Sequence, residues 1–349
     1  MTIKILAGDC LKILKTLPDE SVNCCVTSPP YWGLRDYLVD GQIGLEETVH
    51  EYVEKMAVVF REVRRVLQND GTLWLNLGDS YCGNGKSGRQ NLEELGKSLG
   101  TGGGKKHSAM ACGRASTPKG LKPKDLIGVP WRVAFALQDD GWYLRSEIIW
   151  HKQNPMPESV TDRPTKAHEQ IFLLSKSPKY YYDCDAIREP YGEDERISGL
   201  QRARLYGYDG KGTYADWYNK ERQGKDWVDK KSSGDQLTYG QAKKASKTAP
   251  PNLPHPDGKN KRDVWAVASE AFKEAHFATF PTKLIEPCIL AGCPEKGTVI
   301  DPFFGAGTTG LVADRLGRDC IGIELNPKYI EIAEERLNND AGMFAKIQT

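Results

Sequence analysis

The chain has 349 residues, a formal net charge of +1 and nine cysteines. A chain of this length can bury a large core and form one catalytic domain with additions, or at most two domains. The first residues turn polar by Gly8 and no apolar run has the length of a membrane span, so we expect a cytosolic protein. The cysteines show neither zinc-site spacing nor a disulfide framework, which predicts reduced, mostly buried thiols and no metal site.

Short β-rich runs alternate with amphipathic helical segments along the chain. The expected strands are 3–8, 23–28, 72–78 and 145–150. Between the second and third strands, apolar residues recur at helical spacing from His50 to Leu67, which predicts a helix. A second helix is predicted from Pro130 to Gly141, because proline is common at the start of a helix and glycine at its end. This alternation predicts a largely parallel α/β sheet.

Positive charge is concentrated in two segments of an otherwise acidic chain. Residues 83–124 contain nine basic and two acidic residues, and residues 201–262 contain fourteen basic and seven acidic residues. The first segment is rich in glycine and is expected to be an insertion, whereas the second interleaves tyrosine and tryptophan with lysine and arginine. Such segments are typical of nucleic-acid binding, although a solvated loop or an irregular domain with its own small core has the same composition.

The sequence from Thr298 to Pro327 has the order strand, glycine turn, helix, strand. Residues 305–310 have the spacing G-x-G-x-x-G, and Glu324 follows at the end of the next strand, where an acid can accept hydrogen bonds from ribose hydroxyls. This pattern indicates an adenosine-type cofactor. Asp301 would repel the pyrophosphate of a dinucleotide but attract the ammonium group of S-adenosylmethionine, although it could also simply cap the following turn.

Two motifs together resemble those of the DNA amino-methyltransferases, which modify exocyclic nitrogens of bases. They are SPPYW at 28–32 and DPFFGAGTT at 301–309. Their order, with the catalytic tetrapeptide first and the cofactor loop last, is similar to the circularly permuted beta class, and the segments 8–14, 148–157 and 276–287 are also similar to motifs of that family. Each motif alone is weak evidence, because a Pro-Pro pair often forms an ordinary turn and the glycine loop also occurs in nicotinamide-dependent oxidoreductases.

The resemblance implies a Rossmann-like, S-adenosylmethionine-dependent methyltransferase fold with a mostly parallel seven-stranded sheet. The catalytic part would span residues 1–184, with the basic insertion at 83–124, followed by a target-recognition region at 185–262 and the cofactor-binding part at 263–349. Double-stranded DNA is the implied partner, in a prokaryotic or phage setting. The protein would act as a monomer or homodimer, and a cognate restriction endonuclease is a further candidate partner.

In this family, the side chain at the position of Ser28 and the carbonyl of Pro29 accept the two hydrogens of the target amine. These contacts direct the nitrogen lone pair at the methyl sulfonium of the cofactor. Pro30 adds rigidity, and Tyr31 would stack on a base rotated out of the duplex. Serine at the first position is commoner in enzymes that act on cytosine N4, so we expect cytosine N4 as the target and keep adenine N6 as the alternative. An oxidoreductase and a non-catalytic DNA-binding protein are more distant alternatives.

The remaining expected site residues fall into three groups. Trp32, Trp150 and Asn154 would form the base pocket, although Trp150 could equally be a core aromatic. The expected cofactor-binding residues are Asp9, Cys10, Phe280, Asp301, Phe303, Gly305, Gly307, Thr308, Thr309 and Glu324. The expected DNA contacts are Lys105, Lys106, Arg114, Arg202, Arg204, Lys243 and Lys244.

Overall fold

A computed structural model describes residues 1–83, 118, 120–192, 255, 257–270, 279–341 and 346–348. The chain divides into two compact units, one formed by Met1–Asp183 with Arg262–Thr349 and the other by Cys184–Lys261. In the second unit, the described residues include an antiparallel bridge between Glu189 and Lys259. The functions expected for the corresponding segments remain predictions.

The first unit contains a sheet of nine strands in the order β6-β4-β5-β3-β2-β7-β8-β1-β9. Only β5 runs antiparallel to its neighbours within the described sheet, and the other pairings are parallel. The expected mostly parallel α/β fold is confirmed. The sheet is wider than the expected seven strands because two three-residue strands, β6 and β9, lie at its edges. The strands are β1 (Thr2–Ala7), β2 (Val22–Thr27), β3 (Leu67–Leu77), β4 (Tyr143–His151), β5 (His168–Ser175), β6 (Val264–Ala266), β7 (Thr298–Asp301), β8 (Asp319–Glu324) and β9 (Lys346–Gln348).

Helices connect the strands, and both helices expected before the glycine loop are present. The described helices are α1 (Cys10–Leu14), α2 (Val49–Val66), α3 (Val129–Asp139), α4 (Thr282–Gly292), α5 (Thr308–Arg315) and α6 (Pro327–Ala341). Helix α2 begins with a capping box, in which Thr48 and Glu51 each accept the other's backbone N–H. None of the helices in the described part of the chain combines the length and apolar character needed to cross a membrane.

The main core lies between the sheet and helices α2 and α3. Tyr52, Met56, Phe60 and Val63 of α2 are fully buried, as the helical spacing predicts. All eight described cysteines are free, and all of them except Cys184 are buried, which agrees with the expectation of mostly buried thiols.

The sheet directions determine where a site can form. Parallel strands place their carboxyl ends at one edge of a sheet, which is where open α/β sheets bind ligands. Because β5 runs the other way, its amino end lies at this same edge. Gln170 near the start of β5 is accordingly paired with Leu77 at the end of β3, and His168 with His151 at the end of β4.

Candidate active site

A cavity of about 640 Å³ lies at the carboxyl-end edge of the sheet. This volume is within the range of ligand sites, which run from about 300 to 1,000 Å³. Nearly every central strand contributes a residue to its wall, at or just beyond the strand end. These residues are Gly8 after β1, Ser28 after β2, Asn76 of β3, Lys152 after β4, Glu169 of β5, Asp301 of β7 and Glu324 of β8.

At one end of the cavity, Glu324 joins the glycine loop to the end of β8. Its Oε2 accepts the backbone N–H of Gly305 at 2.7 Å, and its Oε1 accepts that of Asn326 at 2.8 Å. Burial is the main cause that raises the pKa of Glu324, and these two hydrogen bonds oppose it. Each carboxylate oxygen has a second acceptor position, so Glu324 can support the loop and still accept hydroxyl donors from a ligand.

Other expected cofactor residues share this end of the cavity. Asp9 caps helix α1 by accepting the N–H of Lys12 at 2.9 Å. Cys10 is buried, and burial is the main cause that raises its thiol pKa to about 12. Phe280 and Phe303 line the cavity as well. The wall there is therefore partly aromatic, with carboxylates at the strand ends.

Asp301 supports the glycine loop from within the fold. Its Oδ1 accepts the hydroxyl of Thr27 at 2.6 Å and the N–H of Phe303 at 3.0 Å, and its Oδ2 accepts the hydroxyl of Thr309 at 2.6 Å. Burial raises the pKa of Asp301 to about 6, and the hydrogen bonds act against that rise. The carboxylate is on the cavity wall, but most of its acceptor capacity is already used by the protein.

Two residues expected to bind the cofactor are instead behind the wall. The side chain of Thr309 is fully buried and directed at Asp301. Gly307 has a φ of +77°, and a Cβ placed there would lie 3.0 Å from Cβ of Ala333 in helix α6. A side chain at Gly307 would therefore crowd helix α6, whereas Gly305 and Thr308 do line the cavity. The structure thus places Gly307 and Thr309 away from the cavity wall, because the loop turns Gly307 toward helix α6 and the Thr309 hydroxyl is directed at Asp301, and their expected cofactor roles remain predictions.

At the other end of the cavity, the motif 28–32 follows β2. The hydroxyl of Ser28 donates to that of Tyr31 at 3.4 Å, and the Tyr31 hydroxyl donates to Oε2 of Glu169 at 2.7 Å. Tyr52 of helix α2 donates to the carbonyl of Pro30 at 2.9 Å. Ser28, Pro29, Pro30 and Tyr31 all line the cavity. The tetrapeptide is thus held at the carbonyl of Pro30 and at the hydroxyl of Tyr31.

Two of the three expected base-pocket residues line the cavity, and the third does not. Trp32 is 3% exposed and does not belong to the cavity wall, because its indole N–H donates to the carbonyl of Glu46 and its ring packs into the main core. Trp150 lines the cavity, although its own N–H is bonded to the carbonyl of Val267 at 2.8 Å. Asn154 also lines the cavity, with its amide bonded to Ser269 through both its oxygen and its nitrogen. The expectation for Trp32 is therefore wrong.

Glu169 and Asn76 were not expected from the sequence, yet they lie at the centre of this end of the cavity. Lys152 Nζ is 2.5 Å from Oε1 of Glu169, and the Asn76 amide donates to Oε2 of Glu169 at 3.3 Å. Lys166 adds a second ammonium group, and burial is the main cause that lowers its pKa. A signal for Asn76 existed in its position at the end of an expected strand, but Glu169 lies in β5, which was not expected.

The expected DNA contacts cannot be compared with this geometry. Lys105, Lys106, Arg114, Arg202, Arg204, Lys243 and Lys244 all lie outside the described residues. Their roles remain predictions. In the described part of the chain, no group of histidine, cysteine and acidic side chains is arranged to hold a metal ion.

The chain is similar to known DNA methylases in sequence and in fold. A family model described as DNA methylase, of the N6/N4 type, matches residues 22–335. The type II methyltransferase M.SmaI of Serratia marcescens is 43% identical over 334 residues, which cover 96% of this chain and 90% of M.SmaI. The structure of PvuII DNA methyltransferase (cytosine-N4-specific) is similar with a TM-score of 0.56 and 18% identity, covering 100% of this chain and 95% of that one. TTHA0409 of Thermus thermophilus, in complex with S-adenosyl-L-methionine, gives a TM-score of 0.54 and 20% identity with full coverage of both chains.

Proposed function

The chain belongs to the DNA methylase family of N6/N4 methyltransferases, and from this premise we propose that it methylates the N4 amine of cytosine in double-stranded DNA. It is a DNA methyltransferase, and its methyl donor is S-adenosylmethionine. The choice of cytosine over adenine, and the roles of individual residues, are the parts of this proposal that need their own support.

The cavity fits the methyl donor at its glycine-loop end. A Cβ added at Gly305 would meet nothing closer than the Phe303 carbonyl oxygen at 4.0 Å, so a ligand can approach the backbone there. Glu324 retains acceptor positions at the end of β8, where ribose hydroxyls would bind. Asp301 can contribute one further acceptor toward the ammonium group of the methionine moiety. When bound, the cofactor supplies an electrophilic methyl group on a sulfonium.

The motif at the other end of the cavity would prepare the amine for attack. An exocyclic amine is a poor nucleophile because its lone pair is delocalised into the ring. The Ser28 oxygen and the Pro29 carbonyl would accept the two amine hydrogens, which favours a tetrahedral nitrogen and stabilises the positive charge that develops on it. The bond from Tyr52 to the adjoining Pro30 carbonyl limits movement of this corner. Misplacement by about 1 Å can lower a rate roughly a hundredfold.

The observation that favours cytosine is the pair of ammonium groups in the cavity. Lys152 and Lys166 both line it. The Watson–Crick edge of cytosine has two acceptors, N3 and O2, beside its amine, whereas that of adenine has only N1. A flipped base is recognised by hydrogen bonds to this edge. Two cationic donors therefore suit cytosine better, and a neutral serine at position 28 agrees with this choice.

Sequencing of DNA from cells that express this chain, with detection of modified bases, would test the proposal. We expect N4-methylcytosine at one recognition sequence and mass spectrometry of the digested nucleosides to identify it. Ser28→Ala should lose most activity, and Pro29→Ala should lose less because its carbonyl is retained. Product DNA that contains only N6-methyladenine would refute the choice of cytosine but retain the mechanism. Full activity in Ser28→Ala would refute the mechanism as well.

A further inference from the structure

A chain of hydrogen bonds leads from the catalytic serine to an ion pair. Ser28 donates to Tyr31, Tyr31 donates to Glu169, and Glu169 is paired with Lys152. The side chain of Glu169 is 14% exposed and that of Lys152 is 25% exposed, so the pair is largely shielded from solvent. Asn76 donates to the same Glu169 oxygen as Tyr31 and also to the backbone carbonyl of Gln170 at 3.1 Å.

The direction of these bonds is determined by the carboxylate. The Tyr31 hydroxyl has two acceptors within reach, Oε2 of Glu169 at 2.7 Å and Oδ1 of Asn76 at 3.2 Å. The ionised carboxylate is the closer and the charged one, and it can only accept, so the single Tyr31 proton is donated to Glu169. The Tyr31 oxygen is then available to accept the proton of Ser28. Burial is the main cause that raises the Tyr31 pKa well above its usual value, and the charge of Glu169 adds to it, so the phenol remains a proton donor at neutral pH. With its own proton directed at Tyr31, Ser28 presents only lone pairs to the cavity.

We propose that Glu169 is a positioning residue that acts through Tyr31 to keep the Ser28 oxygen an acceptor. The pocket would thereby select a base with an exocyclic amine over a base with a carbonyl at the same position. An amine offers hydrogens to the Ser28 oxygen, whereas a carbonyl oxygen would face lone pairs. This inference rests on the proposed function, since it deepens the assignment of Ser28 as an acceptor, and it extends to adenine as well as cytosine.

The substitution Glu169→Gln reverses the donor-to-acceptor direction of this series of hydrogen bonds. Lys152 lies beside Oε1 and attracts the amide oxygen of the new side chain, so the amide nitrogen is turned toward Tyr31. Tyr31 then accepts from the amide, and its proton is no longer fixed by a charged acceptor but is shared between Oδ1 of Asn76 and the Ser28 oxygen. Whenever the Tyr31 proton is directed at Ser28, the Ser28 proton turns toward the cavity. Glu147→Gln on the neighbouring strand β4 is the matched control, because Glu147 is partly buried but does not line the cavity.

The test is the binding of two duplexes that contain the recognition sequence mapped by sequencing, one with the target cytosine and one with uracil in its place. The quantity compared between protein variants is the ratio of the two dissociation constants, so that the effect of the mismatch itself cancels. We expect Glu169→Gln to reduce the preference for cytosine by about tenfold or more, the range associated with one misdirected buried hydrogen bond. Glu147→Gln should keep the wild-type ratio.

A second substitution separates polarity from simple loss of packing. In Glu169→Gln/Lys152→Met the amide is free to turn, so its oxygen can again accept from Tyr31. Because Lys152 is itself assigned a contact to the base, the effect is read as a difference: Glu169→Gln should lower the preference for cytosine less in the Lys152→Met background than in the wild-type background. If Glu169→Gln does not fold, Tyr31→Phe interrupts the same chain of bonds and should lose the preference instead.

Equal ratios in wild type and Glu169→Gln, or in Tyr31→Phe where that variant is used, would overturn the inference. An equal loss of preference on Glu169→Gln in the wild-type and Lys152→Met backgrounds would also overturn it, because the direction of the amide is then irrelevant. If sequencing maps N6-methyladenine, hypoxanthine replaces uracil in the probe, and only the choice of cytosine is refuted. A wild-type chain that methylates no base refutes the proposed function and the inference with it.

Discussion

Gly78 provides the space for the Tyr31 ring. It follows β3 directly, and a Cβ placed there would lie 2.5 Å from Cε2 of Tyr31 and 3.0 Å from Cδ2. No atom other than hydrogen fits in that gap, so any side chain at position 78 must displace the ring. A displaced ring would draw its hydroxyl away from Glu169 and Ser28. The position of the Tyr31 ring in the motif 28–32 thus depends on a residue that has no side chain.

We predict that Gly78→Ala lowers the rate of methyl transfer by about tenfold or more, with a loss of about 1 to 3 kcal/mol in the free energy of unfolding from overpacking. Initial rates and urea denaturation would measure the two effects. The combined variant Gly78→Ala/Tyr31→Phe should be little slower than Tyr31→Phe alone, because both changes act on the same hydroxyl. A fully additive loss would show that Gly78 acts by another route.

Asp301 should make stability depend on pH. Its pKa is about 6 in the folded chain and its ordinary value is 3.8, so the folded state binds the proton more tightly than the unfolded state. Stability associated with this group is therefore full below about pH 4 and is lost as the pH rises through about 6. A difference of two pKa units corresponds to about 3 kcal/mol.

The matching prediction is that Asp301→Asn removes this dependence. An asparagine can accept from Thr27 through its oxygen and donate to Thr309 through its nitrogen, so the fold should persist. Denaturation midpoints between pH 4 and pH 7, measured for both proteins without cofactor, would show a slope in wild type and a flatter profile in the variant. Identical profiles would place the pH dependence in other groups.

The glycine loop between β7 and α5 has one glycine at the cavity and one packed against helix α6. Gly305 faces the cavity, whereas Gly307 abuts Ala333 of helix α6. Both have positive φ, of +52° and +77°, so any side chain at either position introduces backbone strain. The two positions should nonetheless differ in what a larger side chain disturbs.

We predict that Gly307→Val lowers the melting temperature through a clash with α6, and that Glu324→Ala weakens S-adenosylmethionine binding by about tenfold or more while changing the melting temperature less. Thermal denaturation and calorimetric titration of each variant would separate the two effects. Unchanged affinity in Glu324→Ala would remove the basis for its role in holding ribose. An unchanged melting temperature in Gly307→Val would show that the loop accommodates the larger side chain without loss of stability.

The helices and strands whose apolar residues recur at a clear spacing could be predicted from the sequence. Strand β5, which contributes Glu169 to the cavity, could not. Helix α2 and strand β3 follow directly from the spacing of their apolar residues. Strand β5 begins with three polar residues and has a short apolar stretch, 171–174, which periodicity cannot distinguish from a helix segment. Glu169 becomes relevant only because β5 runs antiparallel and meets Tyr31, which is 138 positions away along the chain.

The tryptophans illustrate the same limit at a finer level. Trp32 and Trp150 both follow or end an apolar run, so a local pattern makes them equal candidates for the pocket. Trp32 packs into the core, where its indole N–H donates to the carbonyl of Glu46, whereas Trp150 lies one residue before the end of strand β4 and lines the cavity. Which way an aromatic side chain faces depends on distant contacts that no local pattern encodes.

For the molecule as a whole, the segregation of charge predicts how it meets DNA. The net charge of +1 conceals two strongly basic segments, 83–124 and 201–262. Contacts to phosphate release counterions, so each lysine or arginine on the DNA backbone steepens the dependence of affinity on salt by about one unit in a double-logarithmic plot.

We predict that neutralising Lys105, Lys106 and Arg114 weakens binding to all duplexes alike and reduces this salt slope by up to about three units. Changes to aromatic residues of the later segment, such as Tyr206 or Trp217, should instead alter affinity for the recognition sequence more than for other sequences. Binding curves at several salt concentrations would test both. An unchanged slope in the triple variant would mean that the first segment does not contact DNA.

The antiparallel pair β4–β5 separates a loop over the cavity from the ion pair at the base of that loop. The backbone N–H of Lys152 donates to the carbonyl of Ala167 at 2.8 Å, which closes the hairpin at its base and leaves residues 153–166 as an excursion over the cavity. Lys152 and Glu169 stand on the closed ladder, whereas Asn154 and Lys166 belong to the excursion. A change of sequence within residues 153–166 would therefore alter the cavity lining at Asn154 and Lys166 without breaking the ion pair between Lys152 and Glu169.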